Sequence, residues 1–352
     1  MARAEVALTT VAYGAVQASG RTFSDQLLIT AGAGLDRLAA AVHDAGGKVS
    51  LQLAHCGGFS KLRGAARPMG PSFAINAYGL AYGRPFVRAM TEADLRATTA
   101  AYAEAAAIAQ DAGIDAVELH CGHGYLLSQF LSPSFNRRRD EYGGELQDRL
   151  RFPAQVVRAI RARVGHEYPV LAKINLHDGV RGAPDNEAVP IAQALVAAGV
   201  DAIVPSGGLV QRSAFYLMRG DVPLREMIRD ETSWLQRLSM RLLGPLLVRR
   251  FPYAPSFFFA QAERLLGAVH APVALLGGVD SARAVNQATD RGFDFVVMGR
   301  ALLADPDFIP RLAAKEDVVS RCTHCNQCVA HMNRGVACVL EPRPGLRLSA
   351  PM

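Results

Sequence analysis

The chain has 352 residues, half of them hydrophobic and a fifth charged, so it can bury a large core and is not a disordered polymer. No apolar run is long enough to cross a bilayer as a helix, and Arg3 and Glu5 precede any apolar run, so neither a membrane anchor nor a secretory leader is expected. The 38 basic and 32 acidic residues leave a net charge of +6 scattered along the chain, a mild attraction for anions rather than a nucleic-acid footprint.

Strands are predicted at Val6–Thr10, Lys48–Leu53, Asp115–His120, Pro169–Asn175, Asp201–Pro205, Pro272–Leu276 and Phe293–Met298. Helices are predicted at 34–45, 92–112, 147–164, 187–198, 257–267, 281–291 and 307–314. The approach to each strand repeats a theme: Ala45-Gly46-Gly47, Ala112-Gly113-Ile114-Asp115, Ala198-Gly199-Val200-Asp201 and Arg291-Gly292-Phe293-Asp294. A glycine closes the helix and the chain turns back into a buried strand. Strands that are apolar at consecutive positions, separated by helices, imply a parallel sheet covered on both faces. Repeated in this way they point to an α/β fold of the TIM (β/α)₈ barrel type, apparently lacking the first β/α unit, because only Met1 to Glu5 precede the first strand. Residues 1–315 are expected to form the barrel, and 316–352 a cysteine-rich C-terminal tail. Residues 209–256 break the alternation and are expected to be a lid over the barrel mouth, or else an amphipathic packing or oligomer surface.

Polar residues and glycines collect directly after the strands: His55 and Gly57, His120 and His123, Asn175 and His177, Ser206 to Gly208, Gly277 and Gly278, Gly299 and Arg300. In a barrel these positions share the C-terminal mouth, where active sites are built. His120 and His123, leaving a strand, can aim two N–H donors at one oxyanion, and Tyr125 can deliver or take a proton. Paired histidines also bind metals, but no third ligand stands at suitable spacing nearby. Gly277, Gly278, Gly299 and Arg300 suit a phosphate, held by backbone N–H groups and a guanidinium. Cys322, Cys325 and Cys328 at two-residue spacers, with Cys338 beyond, make a compact four-thiolate set for a [4Fe–4S] cluster, with tetrahedral zinc as the alternative. Crowding of four of the six cysteines there speaks against a disulfide framework and for a reducing cytoplasm.

The stretch ELHCGHGYLLSQFLSPSFNRRRDEYGGELQDRLRF closely resembles the signature of the old yellow enzyme / NADH:flavin oxidoreductase family. LQLAHCGG, LLGGVDS and VVMGRALLADPDF resemble the same family's third-strand motif and its two phosphate-binding turns, and the cysteine tail resembles the 2,4-dienoyl-CoA reductase-like branch. The resemblance implies an FMN-containing barrel that uses NAD(P)H as co-substrate and reduces an activated C=C bond. Gln52 would hydrogen-bond the pyrimidine side of the flavin. Lys173 would face its N1 and O2, where much of the family has an arginine. His120 and His123 would hold the carbonyl oxygen of the alkene substrate, and Tyr125 would protonate the α-carbon. Gly58 stands where many members have an arginine. The alternatives are a flavin/iron–sulfur dehydrogenase that passes electrons to a protein partner, and a flavin-less barrel serving as a binding or scaffold subunit. A small-molecule partner is expected, with nucleic acid and membrane excluded and a homo-oligomer left open. Substrate choice would rest on 209–256 and on the 61–88 loop, with Tyr78, Tyr82, Phe86 and Arg88.

Overall fold

A computed structural model describes residues 1–340 apart from 63–66, 78, 316 and 333–334. Tyr78 and the end of the expected tail, 341–352, thus lie outside the described residues. Parallel strands β1 (Leu8–Ala15) and β2 (Lys48–Ala54) are followed by a small sheet of β3 (Met69–Gly70), β4 (Ala74–Ile75) and β5 (Phe86–Ala89) in the loop beyond β2. The main sheet continues with β6 (Ala116–Cys121), β7 (Val170–Asn175) and β8 (Ala202–Ser206), in the spatial order β1-β2-β6-β7-β8. A single bridge, Ile203 to Val273, carries the order on to β9 (Ala274–Leu276), which pairs in parallel with β10 (Phe295–Val297). The seven long strands therefore follow one another in sequence around a (β/α) barrel. Among the described residues no pairing joins β10 back to β1.

The repeated Gly-then-Asp approach has a structural reason. Gly113, Gly199 and Gly292 take φ of +79°, +119° and +98°, the left-handed geometry that ends a helix cheaply only at glycine. Asp115 Oδ2 then accepts the Val49 N–H at 2.9 Å, Asp201 Oδ2 the Val170 N–H at 2.7 Å, and Asp294 Oδ2 the Val273 N–H at 2.9 Å. Each aspartate satisfies an amide at the start of the neighbouring strand.

Alternation along the strands separates two environments. Val49, Leu51 and Leu53, Val117 and Leu119, and Val170, Ala172 and Ile174 pack outward with the helices in one continuous core. The intervening residues face the barrel interior and are polar towards the C-terminal end: Thr10 and Ser50 (Oγ1 to Oγ 2.6 Å), Gln52 and Glu118, His120 and Lys173, Asn175 and Ser206. Each of these couples stands directly opposite in the register of its ladder.

Three expectations change. β1 runs on to Ala15 instead of stopping at Thr10, with a register irregularity between Val11 and Gly14. The helix expected at 257–267 is a short α turn, Phe259–Ala262, followed by a 3₁₀ turn, Glu263–Leu265. Residues 209–256, which lie between β8 and β9, fold into helices Ala214–Leu217, Leu224–Asp230 and Trp234–Leu247.

Candidate active site

Lys173, Gly277, Gly278, Gly299 and Arg300 all line one cavity of about 330 Å³ in the barrel mouth. Thr10 and Ala12 of β1, Leu217 and Met218 of the insert, and Tyr253, Phe257, Asp280, Cys322 and His324 complete much of its wall. The glycine turn after β9 is obligatory. Gly277 and Gly278 hold φ of +104° and +80°, and a Cβ would meet Phe258 at 2.5 Å on the first and the Ala254 carbonyl at 2.8 Å on the second. Arg300 Nη1 donates to the Arg219 carbonyl at 2.9 Å and to Asn326 Oδ1 at 2.5 Å, fixing the guanidinium at the wall.

Gln52 is not among the residues that line this cavity but is tied to one that is. Its Nε2 donates to Glu118 Oε1 at 2.5 Å, and Lys173 Nζ donates to the same oxygen at 2.8 Å. Glu118 was passed over in the sequence although it stands two residues before His120, on the same face of β6. It is the carboxylate that pairs with Lys173 inside the barrel.

His120, buried, stands opposite Lys173 in the β6–β7 ladder. The Gly122 N–H points at its Nδ1 (3.4 Å), so its Nε2 carries the proton and donates to His123 Nδ1 at 3.2 Å. His123 Nε2–H then donates to Ser206 Oγ at 2.7 Å. The two imidazoles therefore act in series here, not side by side as the sequence suggested. Burial lowers the pKa of both, that of His123 to about 3, and the Lys173 charge pushes each in the same direction. Both rings are neutral near pH 7. His123 also holds a φ of +59°, kept by its N–H on Asn175 Oδ1 (3.0 Å) and its carbonyl under the Val210 N–H (3.0 Å).

Tyr125 stacks on His120 with ring centres 4.1 Å apart, and Tyr13 meets Tyr125 edge-on at 4.7 Å and His120 at 6.2 Å. Tyr13 escaped the sequence analysis because it lies beyond the expected end of the first strand. Gly58, the position lacking the family's arginine, instead donates its N–H to Gln129 Oε1 at 3.0 Å, and a Cβ there would press on Val87.

Cys322, Cys325, Cys328 and Cys338 line a second, smaller cavity beside Arg300, and Cys322 lines the first as well. All four are free thiols. Burial pushes the Cys328 thiol up to about 11, against the opposing pull of Arg300. Among the described residues no three metal-ligating side chains converge as they would on a single ion. Asn326, inside the cysteine spacing, is buried with φ +59°, and its Nδ2 donates to the carbonyls of Met218 (2.7 Å) and Asp221 (2.8 Å). It clamps the cysteine loop to the insert. Beside it, Asp280 accepts from Tyr253 Oη at 2.6 Å and pairs with His324 Nε2 at 2.9 Å, with the tyrosine and histidine rings stacked at 3.4 Å. Burial would raise the Asp280 pKa, but these two partners hold it below the usual carboxylate range.

Among the described residues no helix is long and apolar enough to cross a membrane. Residues 1–206 match the model of the NADH:flavin oxidoreductase / NADH oxidase family. The chain is 37% identical over 348 residues to a 4,4'-dithiodibutanoate disulfide reductase of Rhodococcus erythropolis, covering 97% of this chain and 85% of that protein. It is 29% identical over 323 residues to an NADH oxidase of Thermoanaerobacter brockii, of which it spans 44%. A solved 2-naphthoyl-CoA reductase complex superposes with a TM-score of 0.78 at 21% identity, over 97% of this chain and 50% of that one. The chain belongs to the NADH:flavin oxidoreductase / NADH oxidase family and, with it, to the FMN-dependent oxidoreductases.

Proposed function

We propose that the chain binds FMN in the cavity of the barrel mouth and reduces an activated C=C bond of a small molecule at the expense of NAD(P)H. The observation that carries this reading is the single cavity gathering a lysine ammonium, two glycine turns and a guanidinium, with a neutral imidazole pair in the same layer of the barrel. These residues fit the cofactor. The Gly277–Gly278 turn leaves room where a Cβ would collide, and Lys173 and Arg300 supply positive charge to a group that carries a phosphate and becomes anionic on reduction. FMN, when bound, would supply the hydride chemistry that links NAD(P)H to the substrate.

The remaining work falls to side chains. In our reading Lys173 faces the pyrimidine side of the flavin, with Gln52 and Glu118 fixing the ammonium. Gly277, Gly278, Gly299 and Arg300 hold the phosphate. The carbonyl oxygen of the substrate would compete with Ser206 Oγ for the His123 Nε2–H and with His123 Nδ1 for the His120 Nε2–H. Because both imidazoles are neutral, they polarise the carbonyl by hydrogen bonding rather than by transferring a proton. Tyr125 then gives its proton to the α-carbon while hydride arrives at the β-carbon.

We assign the four cysteines to a [4Fe–4S] cluster rather than zinc. Three cysteines at two-residue spacers with a fourth beyond, all lining one cavity, suit a four-thiolate cluster. Cys322, on the wall of both cavities, is then the side chain nearest to joining the two redox sites. That keeps alive the dehydrogenase reading, with electrons leaving for a protein partner. A second substrate reading is favoured by the 37% identical relative, whose name is that of a disulfide reductase. There the hydride would go to one sulfur of an S–S bond, and a proton from the mouth to the departing thiolate.

The test is an anaerobic absorption spectrum of the purified chain, with released flavin identified and iron counted, followed by turnover of an enone and of an aliphatic disulfide with NADH or NADPH. Stoichiometric FMN and enone reduction are expected. The double variant His120→Ala/His123→Ala should lose enone turnover and keep FMN. A flavin-free protein would overturn the assignment, and loss of FMN from the double variant would make the histidine pair structural.

A further inference from the structure

The insert between β8 and β9 carries a helix whose apolar side faces outward. Trp234–Leu247 is capped by Ser233, whose side chain accepts the Gln236 N–H. It packs on the helix Leu224–Asp230 through buried Gly244, where a Cβ would come within 3.0 Å of Leu224. At 100° per residue Leu235, Leu238, Leu242 and Leu246 lie on the side opposite Gly244, with Trp234 at the edge of that stripe. In chain order from Trp234 they are 71%, 42%, 44%, 67% and 82% exposed. A surface helix ordinarily turns such a stripe to the core, and an exposed stripe of this extent marks a contact surface.

The charge around the stripe indicates what it contacts. Between Trp234 and Arg250 there are four arginines, Arg237, Arg241, Arg249 and Arg250, and no acidic residue. Arg250 is paired with Asp221 at 2.7 Å, while Arg241 and Arg249 are exposed. A second apolar group, Phe73, Ile75, Leu80 and Phe86, is also exposed. It is tied to the start of the helix by Tyr82 Oη, which donates to Glu231 Oε1 at 2.5 Å.

Against the expectation from the sequence that no membrane partner is involved, we propose that this helix docks the protein on an anionic lipid surface, lying in the plane of the headgroups with Trp234 and the leucines in the acyl boundary and Arg241 and Arg249 among the phosphates. A basic helix with Trp and Leu on one face has the character of an interfacial anchor. Its 14 residues give a length of about 21 Å, too short to span a hydrocarbon core of about 30 Å. A second copy fits the face less well. In an antiparallel two-fold pairing the exposed Arg241, near the middle of the helix and flanking the stripe, would be brought close to its own copy, with no acid on the helix to offset it. Because the insert leaves the C-terminal end of β8, docking would turn the barrel mouth towards the lipid.

The experiment is co-sedimentation of the full chain with phosphatidylcholine vesicles, with and without phosphatidylglycerol, at low and high salt, alongside light scattering of the free protein. Binding should be at least about tenfold tighter with phosphatidylglycerol and should weaken with salt. Arg241→Gln and Arg249→Gln should each weaken it on the order of fivefold. Leu242→Ser/Leu246→Ser, on the solvent side of a folded helix, should weaken it by about two orders of magnitude with an unchanged thermal midpoint. Absence of binding, or equal binding by the leucine variant, overturns the proposal. A dimer that the leucine variant dissociates also overturns it, in favour of a second copy of the chain.

Discussion

Replacing Glu118 by Gln separates the charge of the barrel interior from its packing. Glu118 Oε1 accepts from Lys173 Nζ at 2.8 Å and from Gln52 Nε2 at 2.5 Å, with the lysine and glutamate side chains only 12% and 3% exposed. At that separation two unit charges attract by about 6 kcal/mol for an effective dielectric constant of about 20. Most of this offsets the removal of both ions from water, so the intact pair adds little net stability. Removing one partner is different, because a charge remains buried beside a neutral amide. We expect Glu118→Gln and Lys173→Met each to cost about 3 kcal/mol, and the double variant to be less destabilised than the sum by about 2 kcal/mol or more. Urea unfolding of the flavin-free chain measures all three. The flavin potential supplies an independent sign. Loss of the Glu118 anion leaves Lys173 unopposed and should raise the potential of bound FMN, whereas loss of Lys173 should lower it. Additive stability losses below about 1 kcal/mol, or potentials moving in the same direction, would refute the reasoning.

Acid should unfold the protein through its histidines before its carboxylates. His55 and His123 are each held near 3 by burial, so below about 6.5 the unfolded chain binds protons that the fold refuses, and stability falls as pH drops from 6.5 towards 3. Between pH 6.5 and 5 the two together should remove about 3 kcal/mol. Chemical unfolding across that range checks it, and a flat profile would contradict the burial argument. Gly278→Ala should cost about 2–3 kcal/mol and abolish tight FMN binding, since its Cβ would meet the backbone at Ala254 and Ser256. Gly292→Ala, with φ +98° but open space around the Cβ, should cost only about 1 kcal/mol. Arg300→Gln should weaken FMN by about 10- to 100-fold in a fluorescence titration, the worth of a charge-assisted bond to phosphate. Unchanged affinity would place the phosphate elsewhere.

The barrel was legible because its strands announce themselves locally. Continuous apolar runs, each entered through a helix-ending glycine and three of them through an aspartate, locate Val49, Val170 and Val273 as neighbours of Asp115, Asp201 and Asp294 once the order of strands is known. The glycine turns and histidines at strand ends were legible for the same reason, since their position relative to a strand is a local property. Tyr13 was not, because Ala12 and Gly14 are weak strand formers and hide the continuation of β1 past its irregularity.

Glu118 and Asn326, and the histidine partner of Ser206, were missed for a different reason, which bears on what the site can do. Each matters only through a partner far along the chain: Lys173 is 55 residues from Glu118, Ser206 is 83 from His123, and Met218 is 108 from Asn326. Alternation within β6 says that Glu118 and His120 share a face, but only the register of β6 against β2 and β7 sets that face against Gln52 and Lys173. A polar side chain inside a barrel is tolerated when its neighbours across the ladder satisfy it. The identity of each such residue is therefore fixed by pairs, and a substitution at one must be read through its partner. Lys173 in place of the family's arginine illustrates the point. With one ammonium and no fork, it takes the Glu118 carboxylate through a single oxygen, which Gln52 shares, and the charge it presents to the cavity depends on that pairing as much as on the lysine itself.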